Sequence, residues 1–167
     1  MIERRVLFDT NIYGRFFEDR EGEKLASNIK SSKPFIIHNY KPIRNELRAI
    51  PQRMKIRSKS LKIAILELYD TLVSGKIIFE NKAIISLAEE YYKEYKKLKG
   101  KIGKEKIIVD FRIVACASLH NMDVIYSEDE NSLKCNQALQ SYEIINIRKK
   151  LRTPSFTSYT TLKMAFH

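Results

Sequence analysis

A chain of 167 residues is long enough for one domain with a buried core and too short to expect two. Hydrophobic residues make up 44% and charged residues 31%, with only five Gly and four Pro, which excludes a disordered or fibrous chain. The net charge of +11 favours a polyanionic partner, nucleic acid or an acidic membrane surface.

Cys116 and Cys135 are too few for a disulfide framework or a thiolate zinc site and fit a reducing cytoplasm. The charged start is followed by no long apolar stretch, and no window of about 18 apolar residues occurs. The expectation is a cytoplasmic protein with no membrane contact.

The first element in chain order is a strand at 6–8 ("VLF"), an apolar run that ends in Asp9-Thr10-Asn11. A helix follows at 22–31, a strand at 35–38 ("FIIH") and a helix at 41–53. The segment 58–74 repeats Leu61, Ile65, Leu68 and Leu72 at steps of three and four, the spacing of one buried helical face. A short strand is expected at 76–80 ("KIIFE"), then helices at 82–99 and 108–120, and strands at 123–127 ("DVIYS") and 142–147 ("YEIINI"). In the tail, 153–167, Thr153 as N-cap with Pro154 at the first helical position predicts a short closing helix, with Phe156, Tyr159, Leu162 and Phe166 on one side. Strands alternating with helices predict an α/β sandwich, whose parallel strands are apolar because both faces are covered.

In such sheets ligands bind beyond the carboxyl ends of the strands. Asp9 and Asp129 both sit just past a strand. Glu46 is the sole acid between Lys33 and Leu66, and Asp110 lies near a helix start on the inward stripe with Ile113, Val114 and Ala117. An unpaired buried carboxylate is costly, so Asp110 needs a cation, either a metal ion or Arg or Lys. Taken singly, each acid also has a structural role: Asp9 and Asn11 as helix caps, Asp110 on a helix dipole, Asp129 in a turn, Glu46 in a surface ion pair. Taken together, four oxygen ligands without a Cys or His cluster suit Mg²⁺ or Mn²⁺.

The order "VLFDTN", an isolated Glu in "IRNEL", "DFRIVACA" and "VIYSED" resembles the PIN-domain ribonucleases, VapC-like in kind, over residues 5–147. The resemblance implies a three-layer α/β/α sandwich with a central parallel sheet of four to five strands, and one PIN-like nuclease domain spanning 1–167 with 153–167 as a helical tail. It implies that Asp9, Glu46, Asp110 and Asp129 are the catalytic, metal-holding carboxylates for Mg²⁺ or Mn²⁺. Thr10, Asn11, Ser127 and Asn131 would support that site. Asn131 stands where many members carry a further acid, so Glu128 or Glu130 could serve a second ion. The implied activity is hydrolysis of RNA to 5′-phosphate and 3′-hydroxyl ends, either as the toxin of a toxin–antitoxin pair, with an antitoxin and a homodimer as candidate partners, or in RNA processing. The alternative is a non-catalytic RNA-binding protein with a degraded metal site.

An acidic site attracts RNA only if positive charge surrounds it. Arg44, Arg48, Arg53, Lys55 and Arg57 cluster around Glu46, and Arg112 follows Asp110 by two residues; these six form the expected RNA-binding set. A second basic stretch, 93–106, contains Gly100 and Gly103 and reads as a mobile loop, with Tyr91, Tyr92 and Tyr95 either stacking on bases or packed in the core. The scattered His38, His120 and His167 suggest no His-based catalysis.

Overall fold

A computed structural model describes residues 2–167. Five parallel strands form the main sheet in the order β5-β2-β1-β6-β7: β1 (Arg4–Phe8), β2 (Phe35–Tyr40), β5 (Val73–Ile78), β6 (Val124–Tyr126) and β7 (Ser155–Thr157). A two-stranded antiparallel hairpin, β3 (Lys55–Ile56) and β4 (Lys59–Ser60), stands apart from it. Among the described residues, eight helices complete an α/β/α sandwich. In one group are α1 (Thr10–Glu18), α2 (Gly22–Ser31), α3 (Lys41–Arg48) and α4 (Leu61–Leu72); in the other, α5 (Lys82–Lys97) packs on α6 (Lys104–Leu119) and α7 (Asn136–Lys149). The short α8 (Tyr159–Ala165) closes the chain.

The apolar run Val6-Leu7-Phe8 is wholly buried in the central strand, as expected of a parallel strand covered on both faces. The chain runs outward through β1, β2 and β5 on one side, then returns to β6 and β7 on the other. The carboxyl ends of β1 and β6 therefore flank the switch point, where open α/β sheets hold ligands. Phe8 is paired with Tyr126, so Asp9 and Ser127 leave the sheet side by side.

Several expectations are borne out closely: α2 spans the predicted residues, and the buried face of α4 carries Ile65, Tyr69 and Leu72. The strand expected at 76–80 begins earlier, at Val73, and its register against β2 shifts between His38 and Tyr40. Gly75 occupies this irregularity at φ +80°, a conformation that a side chain would strain.

Three expectations are corrected. The segment 142–147 is helical, the second half of α7. Its buried residues Ala138, Ser141, Tyr142 and Ile145 follow helical spacing, while Ile147 is 70% exposed. In the tail, Thr153 and Pro154 do not start a helix: residues 155–157 add β7 to the sheet beside β6, and the helix begins later, capped by Ser158. The stretch 98–103 is a tight turn. Lys99 adopts φ +64°, with Lys99 N donating to Lys96 O and Gly100 N to Tyr95 O, the paired bonds of a Schellman cap. Tyr91 and Tyr95 are core residues, with Tyr91 donating to Asn146 Oδ1 at 2.6 Å and Tyr95 accepting from Ile102 N. They present no face to a base.

Candidate active site

Asp9 is the N-cap of α1 and is almost fully buried. Its Oδ1 accepts from Thr10 N at 2.8 Å; its Oδ2 accepts from Asn11 Nδ2 at 2.9 Å and from Ser127 Oγ at 2.7 Å. Asn11 also ties down the loop after β6, accepting from Glu128 N at 3.1 Å. The capping role and the site role fall on the same atoms.

From Asp9 a chain of hydroxyls reaches the other three acids. Thr10 Oγ1 lies 3.5 Å from Asp9 Oδ1 and 3.1 Å from Glu46 Oε1. On the other side, Ser127 Oγ accepts from Asp129 N at 3.0 Å. Ser132 Oγ then lies 2.6 Å from Asp110 Oδ2 and in hydrogen-bond contact with Asp129 Oδ2. The sequence Glu46, Thr10, Asp9, Ser127, Asp129, Ser132, Asp110 is thus continuous.

Asp110 lies in the second turn of α6, because that helix starts at Lys104 rather than near 108. The extra turn, 104–107, buries Ile107, which the preceding lysines mask in the sequence. A favourable helix-dipole role is thereby removed, since that effect is confined to the first turn.

Burial raises the pKa of Asp9 despite the hydrogen bonds from Ser127 and Thr10. Desolvation raises Glu46 as well, although the residue borders solvent. Asp110 is pushed up to about 7, first by burial and then by the charges of Asp9, Asp129 and Glu46. Burial alone would raise Asp129 too, but hydrogen bonds from Ser132, Asn131 and Leu133 bring it below its usual value. Ser132 has one hydroxyl proton for two carboxylates; a proton on Asp110 satisfies both contacts.

None of the four acids is paired with a Lys or Arg among the described residues. The donor set is all oxygen, partly desolvated and without a counter-charge, which is the chemistry of a site for a hard divalent cation. The Thr10 hydroxyl lies between Glu46 and Asp9 and the Ser132 hydroxyl between Asp129 and Asp110, whereas Ser127 meets Asp129 at its backbone N–H; among the described residues no three acidic, His or Cys side chains are close enough to share an ion.

Neither alternative acid joins the chain: Glu128 Oε1 accepts from Tyr159 N at the start of α8, and Glu130 pairs with Lys134. Asn131 contributes its backbone N–H to Asp129 Oδ1. Ser132 is the site residue that sequence reasoning missed. Its signal was the D-x-x-S spacing from Asp129, a turn in which Asp129 Oδ1 accepts from both Asn131 N and Ser132 N.

Of the expected RNA-binding residues, Arg44 is committed to a two-pronged pair with Asp70 at 2.9 and 2.7 Å, Arg57 to Glu23 at 3.4 Å and Arg112 to Glu80 at 3.2 Å. Arg48, Arg53 and Lys55 are exposed and form no ion pair among the described residues.

Residues 6–135 match the PIN domain model. No sequence match to a curated protein is found. Two solved structures are similar to the chain at a TM-score of 0.58. VapBC2 from Rickettsia felis, bound to a DNA fragment from its promoter, is 12% identical, with 92% of this chain and 98% of that chain covered. VapBC-1 from nontypeable Haemophilus influenzae is 16% identical, with 93% and 98% covered. At such identities the likeness is one of fold.

Proposed function

The chain belongs to the PIN-domain family, and from that premise we propose that it is a metal-dependent endoribonuclease whose Asp9, Glu46, Asp110 and Asp129 hold Mg²⁺ or Mn²⁺. The observation that carries this reading is the hydrogen-bonded chain that joins four acidic residues through Thr10, Ser127 and Ser132, with no basic partner among the described residues, at the switch point of the sheet. When bound, the cation supplies activation of water near neutral pH and neutralisation of phosphate charge.

The chain's own residues perform the rest. Thr10, Ser127 and Ser132 orient the carboxylates from their hydroxyls, and Asn11 locks the two loops together. Asp110 releases its proton as positive charge arrives, since its raised pKa comes from burial and like charges. Arg48, Arg53 and Lys55 track the RNA backbone as mobile point charges. An antitoxin protein as partner, and a role as the toxin of such a pair, are supported by the likeness to the two VapBC structures.

The test is cleavage of single-stranded RNA with Mn²⁺, comparing wild type with Asp9→Asn and Asp110→Asn. Each variant is expected to lose at least about a hundredfold in rate. Undiminished cleavage by both would refute the assignment.

A second reading, an RNA-binding protein with a degraded site, is favoured by Asn131 and by the separation of the carboxylates. It predicts salt-sensitive RNA binding with no cleavage in any divalent cation.

A further inference from the structure

A cavity of about 460 Å³ is walled by Tyr40, Lys41, Asn45, Phe79, Glu80 and Arg112. Its size falls within the roughly 300–1,000 Å³ of small-molecule sites. Asn45 precedes Glu46 on α3, and Val109, also in the wall, precedes Asp110 on α6. The wall thus includes the chain neighbours of two of the four acids, whose own side chains lie outside it.

Its lining is unusual in two respects. Phe79, just beyond β5, is 62% exposed, leaving a large aromatic face in solvent at the cavity. Two polar atoms of the wall residues, the Tyr40 hydroxyl and Arg112 Nε, are buried without a hydrogen-bond partner among the described residues. Tyr40 as a whole is fully buried, and a buried polar group left unpaired carries its whole desolvation cost. Arg112 is held in place by Glu80, whose two carboxylate oxygens accept from Arg112 Nη1 at 3.2 and 3.3 Å.

We propose that this cavity receives one unpaired nucleobase of a single-stranded RNA, stacked on Phe79, beside the phosphodiester presented to the acidic chain. A base supplies a flat apolar face for Phe79 and an edge of donors and acceptors for the Asn45 amide and the other polar groups of the wall. The wall carries two cations, Lys41 and Arg112, against one carboxylate, Glu80, which is already paired with Arg112; what selects a base over a bare phosphate is the exposed ring of Phe79. A duplex cannot engage the cavity, since its base faces are hidden by stacking. The inference rests on the ribonuclease reading above and names the part of the substrate, one unpaired base, that this cavity takes.

The test is fluorescence anisotropy in EDTA with labelled single-stranded RNA, duplex RNA of the same length and an abasic ribose-phosphate strand. Phe79→Ala is expected to weaken single-strand binding about tenfold. It should leave the duplex, the abasic strand and the salt slope unchanged, because no phosphate contact is lost. Phe79→Trp restores the affinity. Unaltered single-strand affinity in Phe79→Ala overturns the proposal, as would follow if Phe79 and Val109 instead met a protein partner. An equal loss on the abasic strand also overturns it. Absence of cleavage with Mn²⁺ defeats the nuclease reading, whereas Phe79-dependent binding of bases in EDTA is read independently of cleavage.

Discussion

Asp110 is where the four carboxylates have their largest electrostatic consequence. Its ordinary pKa of 3.8 rises to about 7, through burial first and then through Asp9, Asp129 and Glu46. Between those two values the folded chain retains a proton that the unfolded chain has released. Stability without metal therefore falls as pH rises across that window and levels off above it. Asp110→Asn removes the titration. In urea denaturation with EDTA, the variant is expected to match wild type near pH 4 and to exceed it at pH 8 by on the order of 1–3 kcal/mol. A difference independent of pH would refute the account. The same residue shows what a sequence can disclose: a lone acid on an apolar stripe announces a need for a partner, and its neighbours at strand ends suggest which. Ser132 was not disclosed, because a serine in a turn reads only as turn chemistry until its fold-mates are known.

Elements were legible where one period dominated a long enough window. The segment 22–31 and the Leu/Ile stripe of α4 are such cases. The six residues 142–147 were too few to separate a strand from half a helix, and the true signal, Ala138 to Ile145 at helical spacing, began upstream. β7 is a three-residue strand between Pro154 and the Ser158 cap, whose pairing with β6 depends on a distant segment that no local pattern encodes. The junction of α1 and α2 adds a constraint at this scale. A Cβ on Gly22 would lie 1.8 Å from Phe16 O, a collision with backbone that only a shift of one helix relieves. Gly14, inside α1, has nothing within 4 Å of its Cβ position. Gly22→Ala is expected to destabilise by about 2–4 kcal/mol, and Gly14→Ala to stabilise by about 0.5–1 kcal/mol through helix propensity. Chemical denaturation of the pair checks both signs.

Over the whole molecule, a net charge of +11 accompanies a cluster of four acids that have no basic partners among the described residues. Composition made the surplus legible but not its distribution, because ion pairing depends on which elements meet. Arg44 and Arg112 look equivalent to Arg48 and Arg53 in the chain, yet the first two are fixed by Asp70 and Glu80, and the second two are exposed. A paired arginine has part of its charge compensated already, so it releases fewer RNA counterions than an unpaired one. The electrostatic footprint should therefore reside in Arg48, Arg53 and Lys55, on the segment that runs from α3 into the β3–β4 hairpin. For single strands the slope of log K against log salt changes by about 0.7 per phosphate contact, so replacing all three by Ala should flatten it by about 2. Binding should weaken uniformly across sequences, since phosphate contacts carry no base information. Arg44→Ala, in contrast, should change the slope little and lower the melting temperature, because the α3–α4 contact with Asp70 is lost. Anisotropy titrations across a salt series, paired with thermal melts, distinguish the two classes. A slope unchanged in the triple variant would place the RNA surface elsewhere on the molecule.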